Sequence, residues 1–240
     1  MSLEIKYFEL NGINLVQFTY RIIESTEPDT GTISQLGDEN RHFAKDDRGL
    51  RTITWEGYIS NDEIYLNLRK VLFDNTEKIL KLHPERKITL LSLGFKKILD
   101  IIKPEDSKIT ITMLAADTRE YNIVQNSATV AVMSSPADIQ ITSEGRAPTT
   151  PEWTLTAIGA IINPAISNGV DRMEWNGTLD PGDVMVISKD GTVSINGSRA
   201  GNISGTVPEA DARKNTFVYS DEPGSSHNCT IEVTWNDAYY

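Results

Sequence analysis

A chain of 240 residues with 39% hydrophobic and 24% charged side chains is long enough for two compact domains and has the make-up of an ordinary globular protein. Its formal net charge of −11, with no basic stripe, argues against a binder of nucleic-acid backbones, whose affinity rests on clustered Lys and Arg. One cysteine, Cys229, excludes an intrachain disulfide framework and a thiolate zinc site.

Residues 1–11 interleave Glu4, Lys6 and Glu9 with apolar side chains and so lack the basic, apolar and small-residue order of a signal peptide. No apolar run reaches membrane-spanning length. Both features predict folding in a cytoplasm without membrane insertion. Strand patterns at 5–8 and 15–23 flank Asn11-Gly12, a hairpin signal. Residues 24–49 are then polar, with Pro28, Gly31, Gly37 and a charge run at 45–48. A loop of that length either reaches a partner or is a mobile excursion. Next, RTITWEGYI at 51–59 alternates Ile53 and Trp55 with Thr52, Thr54 and Glu56, as a half-buried strand does. Ser60-Asn61-Asp62-Glu63 forms a capping box, and Ile64, Leu68, Val71, Leu72 and Ile79 fall at helical spacing. The pattern predicts one helix over 61–82, ending before Pro84, with its apolar stripe packed on a sheet rather than serving as a partner groove.

Strands are predicted at 87–93 and 96–102 around a hairpin at Gly94, although the second segment also suits a short helix. After a turn at 104–107, KITITML at 108–114 alternates clearly, and another strand covers 127–133. Residues 1–138 thus read as a β-barrel or sandwich with one packed helix. Residues 134–151 are rich in Ser and Pro, with Gly145 among them, and mark a boundary, with a short strand at 139–142 inside it. Charge shifts there too: up to Asp138 there are 17 basic and 21 acidic residues, net −4, and beyond it 6 and 13, net −7. The second domain, 139–240, carries turn signals at Pro164, Asn176-Gly177, Pro181-Gly182-Asp183, Asp190-Gly191, Asn196-Gly197, Pro208 and Pro223-Gly224. Between them lie alternating strands, among them Trp153, Leu155, Ala157 and Ile231, Val233, Trp235. Short strands at such spacing specify a jelly-roll-like β-sandwich, and the chain as a whole is mainly β.

Catalytic chemistry finds little support. His42, His83 and His227 are far apart and none has a second ligand at metal spacing, so surface positions are expected for all three. Glu152 with Glu174, or Asp180 with Asp183, are the conceivable glycosidase pairs, but carboxylates beside turns are mostly solvated. No phosphate-binding loop, dinucleotide fingerprint, nucleophile elbow or zinc-protease motif occurs. Cys229 opens a strand and reads as a buried structural thiol. The Asn-X-Ser/Thr matches at Asn176, Asn196, Asn202 and Asn228 read as turn chemistry rather than glycosylation. Trp153, Trp175 and Trp235 are candidates for stacking on sugars, yet alternation turns Trp153 and Trp235 inward and leaves only Trp175 for an exposed end. No catalytic, cofactor-binding or metal-binding residue is therefore assigned.

Three stretches, WTLTAIGAIINPAISNG, WNGTLDPGDVMVISKDGTVSINGS and the FVYSD and CTIEVTWNDAYY pair near the end, resemble the carboxy-terminal domain of distal tail proteins of long-tailed bacteriophages and related viruses. The matching positions are Asn163-Pro164, Asn176-Gly177, Leu179, Gly182-Asp183, Val193 and Asn196-Gly197. In the first half, RTITWEGYI and ITITMLAADTREYN resemble that family's strands before and after the helix, with Ala116, Asp117 and Tyr121 as an Ala-Asp-x-x-x-Tyr signature. The resemblance implies a virion structural protein, assembled in the host cytoplasm and not an enzyme. It implies a first domain that self-associates into a ring, commonly a homohexamer, and an outer galectin-like sandwich. Implied partners are the tail tube protein, the tail-tip or baseplate hub, and the tape-measure protein, with DNA only in transit through the lumen. The competing class is a carbohydrate-binding sandwich module with an accessory oligomerisation domain.

Overall fold

A computed structural model describes residues 7–27, 50–59, 62–74, 76–98, 108–115 and 117–240. Contacts divide the chain into two units, and the division passes between Ile123 and Val124, upstream of the Ser- and Pro-rich stretch. The strand expected at 127–133 therefore falls in the second unit.

In the first unit the elements run β1 (Glu9–Leu10), β2 (Ile13–Asn14), β3 (Thr19–Glu27), β4 (Leu50–Tyr58), α1 (Asp62–Phe73), β5 (Lys78–His83), β6 (Arg86–Ile98), β7 (Lys108–Ala115) and β8 (Glu120–Asn122). The strands pair antiparallel in the order β2-β1-β5-β6-β7-β4-β3, with β8 alongside β6. Asn11 and Gly12 take the positive φ values, 45° and 84°, that a tight β1–β2 turn demands. Period-two patterning then decides what is buried. Ile53 and Trp55 on β4 and Ile109, Ile111 and Met113 on β7 face a core that also takes Phe8, Leu10 and Leu80. Leu68 of α1 is fully buried in that core, with Ile64, Val71 and Leu72 packed against it, so the helix stripe covers the sheet as expected. Trp55 donates from Nε1 to Thr19 Oγ1 at 2.8 Å, and its ring folds over Gly57, where a Cβ would lie 2.3 Å away.

Two expectations fail in this unit. The helix ends at Phe73 instead of near residue 82, and Ile79 belongs to β5, which pairs with β6. Its terminator is side-chain chemistry: the Asp74 carboxylate accepts from the Thr76 N–H and Oγ1 and from Lys78 Nζ, closing a turn that competes with the helix. No hairpin forms at Gly94 either. β6 runs straight through it, opposite Thr112 of β7, and the hairpin sits at Pro84-Glu85, between β5 and β6. The expected capping residues Ser60 and Asn61, the turn at 104–107, nearly all of the 24–49 loop and His42 lie outside the described residues.

The second unit continues with β9 (Asn126–Val132), β10 (Ala137–Ser143), β11 (Glu152–Ala157), β12 (Ile161–Ile162), β13 (Ala165–Ser167), β14 (Arg172–Glu174), β15 (Thr178–Leu179), β16 (Val184–Ile187), β17 (Thr192–Ile195), β18 (Ser198–Asn202), β19 (Ser204–Gly205), β20 (Arg213–Ser220) and β21 (Cys229–Trp235). One sheet has the order β10-β20-β13-β14-β19 and the other β18-β17-β16-β11-β21-β9; β12 and β15 form a small pair. The last long strand, β21, is thus central, hydrogen-bonded to β11 on one side and β9 on the other. Between the sheets Ile139, Ile141, Phe217 and Tyr219 meet Trp153, Leu155, Ile231 and Val233 in one apolar cluster. Trp153 stands edge-on to Phe217, ring centroids 5.0 Å apart at 78°. This is the sandwich that the strand spacing specifies, and the mainly β class holds for both units.

Candidate functional site

Three polar clusters are built around carboxylates. In the first unit, the turn between β7 and β8 carries Asp117, which accepts the Arg119 backbone N–H and Nε, each at 2.9 Å, and the Tyr121 hydroxyl. The Arg119 guanidinium lies 5.5 Å from the Tyr121 ring centroid. Burial pushes the Asp117 carboxyl up, but the hydrogen bonds from Arg119 and Tyr121 outweigh it and hold the group below its ordinary range. Beside it, buried Arg51 of β4 donates to the Thr118 carbonyl and to Glu120 Oε1, both at 3.2 Å, and Arg86 of β6 lies 3.9 Å from Glu120. Asp117, Arg119 and Tyr121 therefore clamp the β7–β8 turn on itself, and Arg51 ties that turn to β4.

In the second unit, buried Asp237 is a hub. Its Oδ1 accepts from Ser143 Oγ at 2.8 Å, the Glu144 N–H at 3.0 Å and Trp235 Nε1 at 3.3 Å, and its Oδ2 from Asn126 Nδ2 at 3.0 Å. A second carboxylate, Asp221, has a side chain with no solvent exposure and meets His227 Nδ1 at 2.6 Å. It also accepts the Tyr219 hydroxyl at 3.0 Å, while its backbone N–H donates to Ser135 Oγ. Burial pushes the neighbouring Cys229 thiol up to about 11, and burial with the nearby Cys229 and Asp221 raises the Tyr219 hydroxyl as well. A thiol so placed stays protonated and is a poor nucleophile. Each carboxylate thus has both oxygens engaged by groups of its own chain. Such an arrangement locks turns.

The sequence candidates are dispersed. His83 accepts the Glu85 N–H through Nδ1 in the β5–β6 turn at 3.2 Å, and His227 is held by Asp221. Glu152 lies on β11 and Glu174 on β14, strands of different sheets, and Glu174 is paired with Arg172 at 2.8 Å. Asp183 accepts the Asp180 N–H at 2.9 Å and Asn196 Nδ2 at 2.8 Å, which is turn chemistry. Trp153 and Trp235 are buried at 1% and 4% exposure. Trp175 departs from expectation: it is half-buried against the core, and its ring lies over Gly177, where a Cβ would come within 2.3 Å. One face of that ring is covered by its own chain. Among the described residues no group of three His, Cys, Asp or Glu side chains is placed to hold a metal ion, and no helix is long and apolar enough to cross a membrane.

Asp237 was invisible to spacing arguments, although a local signal exists. Tyr219-Ser220-Asp221 and Trp235-Asn236-Asp237 each end a strand with an aromatic donor two residues before an aspartate that it binds.

The whole architecture has a solved counterpart. The crystal structure of the Dit protein of SPP1, described as a paradigm of the hub adsorption apparatus in phages infecting Gram-positive bacteria, matches with a TM-score of 0.61 at 13% identity, covering 98% of this chain and 99% of that one. The chain has the Dit fold. No family model and no curated protein sequence matches it. Two infectious bursal disease virus structures, the VP2 subviral particle and the Gt strain, align at TM-scores of 0.19 and 0.20 with 12% identity; they cover 78% and 90% of this chain and 52% and 54% of theirs, and carry no architectural meaning. Within the Dit fold, the three carboxylate clusters are joints that hold turns and strand ends.

Proposed function

We propose that this chain is a structural virion protein, the ring component at the distal end of a long virus tail that joins the tail tube to the tail-tip or baseplate hub. The observation that carries the reading is the match to a phage Dit protein over nearly the full length of both chains. The carboxylate clusters support it, because a ring component needs locked turns and two different surfaces that fit each other head to tail, and no reactive centre. In this reading the first unit forms a homohexameric ring, and the second is a galectin-like domain on its outside. The tail tube protein binds one face, the hub the other, and the tape-measure protein occupies the lumen until it leaves. DNA then passes without adhering, because the excess of acidic side chains repels phosphate.

Exposed apolar side chains on the first unit support self-association in this reading. Leu66 and Phe73 on the solvent side of α1 are 54% and 68% exposed, and Ile23 on β3 and Leu91 on β6 are also exposed. The purified chain is expected to give a closed oligomer by size exclusion with light scattering, or rings by electron microscopy. Phe73→Glu is expected to shift it towards monomer. A strictly monomeric chain that binds glycans on an array would overturn the reading in favour of a sugar-binding module, and a ring with a basic lumen would overturn the repulsion argument.

A further inference from the structure

The sequence contains four Asn-Gly steps, at Asn11, Asn168, Asn176 and Asn196. This dipeptide is the one most prone to deamidation. A glycine nitrogen has no Cβ beside it to hinder its approach to the preceding side-chain carbon. The reaction also requires that the asparagine amide be free to swing towards the backbone. Folded structure selects among the four by holding or releasing that amide.

Three of them are held from both ends. Asn11 donates through Nδ2 to the Glu77 carbonyl at 3.1 Å and accepts the Ile79 N–H at 2.6 Å. Asn168 donates to the Glu209 carbonyl at 3.1 Å and accepts the Val170 and Asp171 N–H groups at 3.0 and 2.7 Å. Asn196 donates to Asp183 at 2.8 Å and accepts the Val184 N–H at 3.0 Å. The side chain of Asn176, in the turn between β14 and β15, is exposed and makes no hydrogen bond to any described residue.

We propose that Asn176 is the deamidation site of the folded chain, with its rate governed by Asn163. This modification is independent of the tail-ring reading. The Gly177 nitrogen, after losing its proton to hydroxide, attacks Cγ of Asn176. An N–Cγ bond forms, the Cγ–Nδ2 bond breaks, and the amide nitrogen takes up a proton from water and leaves as ammonia. Water then opens the five-membered succinimide at either carbonyl, giving aspartate or isoaspartate, so one water is consumed, one ammonia is released and nothing is oxidised. The nucleophile is itself restrained: the Gly177 N–H donates to Asn163 Oδ1 at 2.9 Å. Releasing that single bond is the step that the fold imposes at Asn176. At each of the other three steps the asparagine amide must instead break away from two or three partners. The product adds a negative charge beside Trp175, and in the isoaspartyl form it also lengthens the turn by one backbone carbon.

Peptide mapping by mass spectrometry tests this on the full chain held at mildly alkaline pH, folded and in urea. Folded protein is expected to convert the Asn176 peptide at least about tenfold faster than those of Asn11, Asn168 and Asn196, whereas in urea all four convert at comparable rates. Folded-state conversion at Asn176 no faster than at any of the other three overturns the assignment. Asn163 has a φ of 49°, which glycine tolerates, so Asn163→Gly frees the Gly177 nitrogen with little backbone strain. That variant is expected to speed conversion at Asn176 about threefold or more while leaving the other three peptides unchanged. An unchanged or slower rate at Asn176, or equal acceleration at all four sites, overturns the control by Asn163.

Discussion

The first unit covers one face of a single sheet with a helix, while the second closes its core between two sheets, and the two depend on different residues as a result. Both use a Trp-x-Gly step in which the ring folds over the glycine, at Trp55 to Gly57 and at Trp175 to Gly177. In the first unit that tryptophan is fully buried at the centre of the core. In the second it is half-buried at a turn, and the centre is held by Trp153 against Phe217. The first unit fixes its β7–β8 turn with a partly exposed ion-pair clamp, whereas the second ties strand ends together through carboxylates with almost no exposure. Core packing is thus the shared requirement, and polar joints are the local solution.

The sharpest way to break this contrast is Trp153→Ala. Removing a fully buried indole from the sheet-to-sheet contact is expected to destabilise the second unit by about 3–5 kcal/mol, read from urea unfolding followed by near-ultraviolet circular dichroism. A change near zero would mean that the two sheets do not hold each other. Next in size is Asp237→Ala, which strands buried donors from Ser143, Glu144, Trp235 and Asn126 and is expected to lower stability by about 3 kcal/mol. If the loss matched that of an exposed aspartate, the idea of a buried joint would fail.

The smallest effect is expected at Asp117→Asn, about 1 kcal/mol at neutral pH, because this clamp is partly exposed. It carries a pH signature. The folded-state carboxyl titrates below its ordinary 3.8, so its stabilisation is present above that value and fades as pH falls through the lower folded-state value. Unfolding midpoints measured from neutrality into acid below pH 3.8 are expected to draw together for wild type and Asp117→Asn, and a gap that does not narrow there would assign the difference to packing.

Much of the strand framework was legible because one face of each long strand is buried and the other is not. The alternations at β4, β7, β11 and β21 each announce this. Where the reading failed, a local side chain overrode a pattern. Leu72 and Ile79 sit seven residues apart and fit a helix face, yet the chain turns between them at Asp74 and Thr76, with neither glycine nor proline to announce it. At Gly94 the opposite happened: a glycine that signals a turn lies in register within a long strand. The aspartate joints were illegible for a different reason. Asp237 meets Asn126 and Ser143 across 111 and 94 residues, and no spacing rule links positions that only folding brings together.

The central place of β21 has a consequence during synthesis. β9 and β11 are made early in the second unit and are separated in the sheet by a strand that leaves the ribosome about 70 residues or more after them; until then β9 lacks its partner strand and β11 is paired on one side only, by β16. One unpaired strand and one half-paired strand must wait with their edges open while translation proceeds, and for that interval chaperones, or crowding against other nascent chains, determine whether the sandwich closes or aggregates.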